Sequence, residues 1–168
     1  MGLLWQDQNL QLKREFLEHS SPHHPGKEAW GRTAVLLELT MTFDSSVSIL
    51  VVDDYQTMVR IIRNLLKQLG FENVDEASDG SEALAKMKER KYGLIISDWN
   101  MQPMTGYELL KQVRADRELH ATPFIMVTAE SKTENVIAAK RAGVNNYIVK
   151  PFNAQTLKSK IDAVCQSL

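Results

Sequence analysis

Four short apolar runs, each closing on a polar residue, restrict this 168-residue chain more than any other feature. Ile49-Leu50-Val51-Val52 leads into Asp53-Asp54, Leu94-Ile95-Ile96-Ser97 into Asp98, Phe124-Ile125-Met126-Val127 into Thr128, and Tyr147-Ile148-Val149 into Lys150-Pro151. Nearly unbroken aliphatic and β-branched runs of this length mark strands buried on both faces of a parallel sheet. Between them, apolar residues recur at helical spacing. Met58, Ile61, Ile62, Leu65, Leu66 and Leu69 fall on one helix face, and Gly70 follows as a stop. Val74-Asp75-Glu76-Ala77 reads as a short second strand, and Asp79-Gly80 as a turn into a helix carrying Ala83, Leu84 and Met87 inward. Further helices are expected from about Tyr107, with Leu109, Leu110 and Val113 inward, from about Lys132 to Ala142, ended by Gly143, and through Leu157, Ile161 and Val164. Five strand-helix repeats from Ser46 onward predict an α/β fold: a doubly wound, five-stranded parallel sheet with helices on both faces, because right-handed crossovers leave few alternatives.

Composition narrows the function classes. At 168 residues, 43% hydrophobic and 24% charged, the chain holds one domain with a real core plus a tail, and no second full domain. The formal net charge is -1 and the basic residues are dispersed among acids, so the electrostatic footprint of a nucleic-acid binder is missing. A lone Cys165 excludes an internal disulfide and suits a reducing compartment. No apolar run approaches the roughly 20 residues needed to span a bilayer. Met1-Gly2-Leu3-Leu4-Trp5-Gln6 lacks the basic start of a secretory signal, and Gln6 stands where myristoylation wants Ser or Thr. A cytoplasmic protein with no nucleic-acid or membrane partner is expected. Residues 1 to 40 lack the strand-helix rhythm: Leu10, Leu12, Phe16 and Leu17 form a poorly phased stripe, and Ser20 to Gly26 reads as a flexible break. The cluster His19, His23 and His24 reads as part of a solvated linker. Residues 1–45 are therefore expected to be a poorly ordered extension or linker, with Met41 an alternative start, and residues 46–168 the folded domain.

Open α/β sheets bind ligands just beyond the carboxyl ends of their strands, so the residues closing the four runs would meet at one edge. Carboxylates about 4 Å apart repel by roughly 4 kcal/mol per pair at an effective dielectric near 20, and three there call for a cation. The ligands on offer are all oxygens: Asp54 and Asp98 directly, Asp53 directly or through water, and a backbone carbonyl near Asn100. Such a hard set suits Mg²⁺ or Mn²⁺, where zinc would want His and Cys. Asp98, alone at the end of the central run, is the natural nucleophile for an aspartyl-phosphate. Thr128 can donate to a phosphoryl oxygen and Lys150 supplies a compact positive charge. Each residue also has a plainer explanation. Asp53-Asp54 could cap the following helix, Asp98 could be a surface acid, Thr128 a helix cap and Lys150 a solvated charge. Their joint occurrence at successive strand ends argues for a phosphoryl-transfer site.

Four motifs then carry a family resemblance: Val51-Val52-Asp53-Asp54, Ser97-Asp98-Trp99-Asn100, Met126-Val127-Thr128-Ala129-Glu130 and Tyr147-Ile148-Val149-Lys150-Pro151-Phe152. With spacings of 44 residues from Asp54 to Asp98, 30 to Thr128 and 22 to Lys150, the chain from about Ser48 to Leu168 resembles the receiver domain of two-component response regulators. The resemblance implies a flavodoxin-like strand order 2-1-3-4-5. It implies Asp98 as phosphoacceptor from a phosphohistidine on a sensor histidine kinase, with Mg²⁺ held by Asp53, Asp54, Asp98 and the Asn100 carbonyl. It further implies Thr128 as switch hydroxyl, Lys150 as phosphate-binding lysine, Tyr147 as aromatic switch residue, and the Asn100 and Glu130 side chains as tuning phosphoryl hydrolysis. A cis Lys150-Pro151 bond belongs to the same pattern.

A monomeric regulator of chemotaxis or flagellar motor control is expected on these grounds. Its partners would be the kinase, a motor switch protein and a phosphatase, and its own chemistry would be confined to phosphoryl transfer and autodephosphorylation. A phosphate sink or a relay intermediate in another pathway is the alternative. An aspartate-nucleophile phosphatase fits less well, because Asn100 stands where a general acid belongs. Because the chain stops after the last helix, output is expected through protein contact. One departure is the order Met101-Gln102-Pro103-Met104, in which proline lies one residue later than receivers often place it, so the loop beside Asp98 is expected to differ locally.

Overall fold

The computed structural model describes residues 45–129 and 133–166. The amino-terminal stripe and the His19, His23 and His24 cluster lie outside the described residues, as does Lys132. Five strands, β1 (Ile49–Val52), β2 (Val74–Ala77), β3 (Leu94–Asp98), β4 (Phe124–Thr128) and β5 (Asn146–Val149), alternate with five helices among the described residues. The helices are α1 (Gln56–Gln68), α2 (Gly80–Glu89), α3 (Gly106–Ala115), α4 (Thr133–Arg141) and α5 (Ala154–Cys165). Every strand pair is parallel and the order is β2-β1-β3-β4-β5, as the resemblance implied.

Alternation along the strands divides the core in two. Ile49, Val51, Leu94, Ile96, Ile125, Val127 and Ile148 point to one face, where α1 contributes Val59, Ile62 and Leu66 and α5 contributes Leu157, Ile161 and Val164. Leu50, Val52, Ile95, Phe124 and Met126 point to the other, against Ala83 and Met87 of α2 and Leu109, Leu110 and Val113 of α3. Helices on both faces explain why β1, β3 and β4, buried along their whole length, lack polar alternation. One assignment needs correcting in α1: Ile61, expected on the inward face, is 43% exposed, and Val59 is buried in its place. The apolar residues of this helix exceed the stripe that one sheet face can cover, so the outermost is left in solvent. Gly70 and Gly143, just past α1 and α4, both have left-handed backbone angles (φ +91° and +88°), the conformation that closes a helix at low cost for glycine.

The amino-terminal edge of the sheet is tied by Arg114 of α3. Its guanidinium donates to the carbonyl oxygens of Gly143, His120 and Thr122 and to Asn145 Oδ1, at 2.8–2.9 Å. Asn145 Oδ1 also accepts the Phe124 N–H, so one fork fixes the approaches to both β4 and β5. At the open edge, the carbonyls of Asn73 and Ala77 face β1, and the alternate one, that of Glu76, accepts from Lys86 of α2. A charged side chain thus occupies an acceptor that an added strand would need.

Beside that edge, the buried Tyr92 donates its hydroxyl to Asp75 Oδ2 (2.6 Å), which Arg90 also engages at 2.9 Å while lying over the Tyr92 ring. Burial first, and then the bond to Asp75, push the phenol from 10.0 up to about 12. The folded state therefore keeps this proton through a pH range in which the unfolded chain loses it, and stability falls as pH rises through that window. Tyr92→Phe is expected to cost about 1 kcal/mol at neutral pH. It should also flatten the alkaline decline relative to the parent between about pH 10 and 12, as measured by urea unfolding across that range.

Candidate functional site at the carboxyl edge

The sheet order places the carboxyl ends of β1, β3, β4 and β5 side by side. Asp53 follows β1 and extends its ladder by donating its N–H to Ala77 O (3.2 Å). Asp98 is the last residue of β3, between β1 and β4. Thr128 closes β4 in the core, and its carbonyl accepts the Lys150 N–H at 2.7 Å, which joins the ends of β4 and β5.

Lys150 is the centre of the cluster. Its Nζ lies 2.7 Å from Asp98 Oδ1 and 3.0 Å from Asp53 Oδ2. The second oxygens are also held: Asp98 Oδ2 accepts the Asn100 N–H (2.7 Å) and Asp53 Oδ1 the Tyr55 N–H (2.9 Å). Both carboxylates are buried, with Asp53 1% and Asp98 7% exposed. Burial raises the Asp98 carboxyl above its ordinary value, with the Asp53 charge adding to the rise and the Lys150 bond opposing it. For Lys150, burial alone would lower the ammonium, but Asp98 and then Asp53 outweigh it and hold the group above the usual lysine value. One ammonium, which alone of the three keeps appreciable contact with water, thus offsets the repulsion between two buried carboxylates.

The helix-capping explanation for Asp53-Asp54 does not hold. The residue before α1 is Tyr55, no side chain caps the helix, and Asp53 spends its oxygens on the Tyr55 amide and on Lys150. Asp54 and Asn100 are exposed at the rim. Among the described residues no three acid, histidine or cysteine side chains converge closely enough to hold a metal as they stand. Of the expected metal acids, Asp53 and Asp98 are brought together and Asp54 borders them. Tyr147 is half-buried and packs against the core face that carries Met126, its register partner in β4. Glu130 lies outside the described residues.

The loop after Asp98 carries contacts that sequence reasoning missed. Gly106 opens α3 so close to β3 that a Cβ there would stand 1.9 Å from the Asp98 carbonyl oxygen and 2.8 Å from Ser97 Oγ. Only glycine fits, and a glycine at the first position of a helix, where it gains nothing as a stop, was the readable trace of this contact. Thr105 and Glu108 form a reciprocal capping box that fixes where α3 begins. Trp99 stacks on Tyr107, ring centroids 5.1 Å apart at 14°. The Gln102-Pro103 and Lys150-Pro151 bonds are both cis.

Comparison with known proteins identifies the family and agrees with the fold. The model of the response regulator receiver domain matches residues 49–162. The chain is 50% identical over 125 residues to chemotaxis protein CheY-3 of Vibrio cholerae (74% of this chain, 96% of the relative). It is 52% identical over 118 residues to chemotaxis protein CheY of Pseudomonas aeruginosa (70% and 95%). Among solved structures, the chemotaxis response regulator CheY4 of Vibrio cholerae superposes with a TM-score of 0.66 at 38% identity, covering 71% of this chain and 98% of that one. The receiver domain of the Pseudomonas aeruginosa sensor histidine kinase PA1611, which has magnesium coordinated in its active-site cleft, matches with a TM-score of 0.66 at 26% identity over 72% of this chain and 98% of that one. With a family model spanning most of its length and half its aligned residues shared with chemotaxis regulators, the chain belongs to the response regulator receiver domain family and is related to the CheY chemotaxis regulators.

Proposed function

We propose that the chain is a response regulator in a two-component phosphorelay, with residues 46–168 as its receiver domain and residues 1–45 as an extension. Asp98 accepts a phosphoryl group from a phosphohistidine of a sensor histidine kinase, and the phosphorylated form signals by binding another protein. The observation that carries this reading is the Lys150 ammonium bridging Asp53 and Asp98 at the carboxyl edge, with the second oxygen of Asp98 on the Asn100 N–H and the exposed Asp54 next in sequence to Asp53. In the transfer, an Asp98 oxygen forms a bond to phosphorus while the P–N bond of the phosphohistidine breaks, and the imidazole leaves with the electron pair. Lys150 is already 2.7 Å from the attacking carboxylate and neutralises charge as it grows on the phosphoryl oxygens. Thr128 supplies the switch hydroxyl, Tyr147 the aromatic group that responds to it, and Asn100 and Glu130 the side chains that tune water attack.

The metal donors on offer at this edge are all oxygens, a set that fits Mg²⁺, with Mn²⁺ a chemical alternative. Asp53, Asp54, Asp98 and the Asn100 carbonyl would hold it, Asp54 turning in from the rim. The ion supplies charge neutralisation for the acids and for the incoming phosphoryl group. The kinship with chemotaxis regulators favours motor control over a phosphate-sink role, and a motor switch protein and a phosphatase over other partners. No helix among the described residues is long and apolar enough to cross a membrane, in keeping with action in the cytoplasm. The protein acts as a signalling switch and turns over no outside substrate.

Incubation with acetyl phosphate and Mg²⁺ is expected to add one phosphoryl group by intact mass. Chelation of the metal should abolish the addition, as should Asp98→Asn; a phosphoryl group retained by that variant would place the acceptor elsewhere. Lys150→Met leaves two buried carboxylates without their cation. In chelator-treated protein near neutral pH this is expected to cost about 3 kcal/mol in urea unfolding. The cost should shrink on acidification, because Asp98, whose carboxyl is already raised, takes up a proton and removes the repulsion. It should also shrink on adding Mg²⁺. A loss indifferent to both would show that Lys150 contributes packing alone.

A further inference from the structure

The carbonyl of Trp99 and the N–H of Asn100 are the two ends of a single peptide unit, and both are engaged. The carbonyl accepts from Gly106 N–H, at the start of α3, at 3.0 Å. The amide donates to Asp98 Oδ2 at 2.7 Å. Because a peptide unit is planar and stiff, its two bonds are mechanically joined: the orientation of the acceptor carboxylate follows the position of the first turn of α3. That turn is itself rigid, held by the capping box of Thr105 and Glu108. Trp99 is further fixed by its N–H bond to Val127 O at 2.9 Å. One side-chain contact reinforces the link, the stack of Trp99 on Tyr107, with Lys111 Nζ lying 5.0 Å from the Tyr107 ring centroid.

From this geometry we infer that Tyr107 is a positioning residue for phosphoryl transfer. It holds the Trp99 side chain against α3, keeps the Trp99-Asn100 peptide in the plane that aims its N–H at Asp98 Oδ2, and leaves the other carboxylate oxygen to Lys150. The inference rests on the reading of Asp98 as acceptor. The phenol hydroxyl has no part in it; the flat aromatic face does, since offset rings at this separation attract beyond the area they bury. An aliphatic residue at position 107 would fill space without fixing the indole plane.

The test compares Tyr107→Ala, Tyr107→Leu and Tyr107→Phe in the full chain, each first shown to be folded by urea unfolding. With acetyl phosphate and a fixed excess of Mg²⁺, the phosphorylation rate is expected to fall about tenfold in the Ala and Leu variants, the scale of a small misplacement of a reacting group. The Phe variant, which keeps the stack, should stay within about twofold of the parent by the same reasoning. The hydrogen bond of the Asn100 amide, read from the temperature coefficient of its resonance so that the lost ring current does not count, supplies a readout that a merely stabilising role would leave unchanged. By that measure the amide should move toward the unbonded state in the Ala and Leu variants and stay in place in the Phe variant. Folded Ala and Leu variants with parental rates and an unmoved Asn100 amide would overturn the inference. If the parent itself takes no phosphoryl group, the acceptor reading fails, whereas the Asn100 amide still decides whether Tyr107 positions the Asp98 carboxylate.

Discussion

Lys150 reaches across the top of β4 to two acids at the carboxyl ends of β1 and β3, and that double contact is the condition under which the rest of this edge can exist. Two carboxylates withdrawn from water and set close together would otherwise have to protonate or move apart. The ammonium that prevents this comes from β5, two strands beyond Asp98, so it depends on correct assembly of most of the sheet. Strand register, the position of β4 and the length of the lysine side chain therefore meet in one geometric requirement. It also ties local chemistry to global folding, because Asp53 and Lys150 are 97 residues apart in sequence.

Around this centre the edge has two mechanical characters. On the α3 side it is rigid: Gly106 abuts the Asp98 carbonyl, the Thr105–Glu108 capping box fixes the helix start, and a single peptide unit connects that helix to the Asp98 carboxylate. On the α1 side it is open. That helix begins with no side-chain cap, and Asp54 and Tyr55 are exposed just before it. The α3 side of Asp98 therefore fixes the carboxylate in place, and the α1 side leaves Asp54 in contact with water.

Most of the sheet was legible in the sequence because strands buried on both faces must be apolar throughout, a pattern with few other causes. The acids, Thr128 and Lys150 were legible because they interrupt those runs at their carboxyl ends. Contacts that depend on backbone approach were less visible. Gly106 and Tyr107 act through their distance from β3, and nothing in the spacing of a helix states how close its first turn lies to a neighbouring strand. The exposure of Ile61 escaped for a related reason. Periodicity identifies an apolar stripe, but the width that is buried depends on the surface the helix meets. The shift of Pro103 was visible as a departure, whereas the cis geometry of its peptide bond was not.

The Arg114 fork at the opposite edge has a consequence for how the two ends of the sheet respond to their surroundings. All four of its acceptors are neutral oxygens, three from the backbone and one from an amide. Guanidinium remains charged throughout the range in which proteins stay folded, and no carboxylate partner is present among these contacts to be protonated. The clamp that seats β4, β5 and the end of α4 is thus largely indifferent to acidity, whereas the carboxyl edge is built from groups whose charge can change.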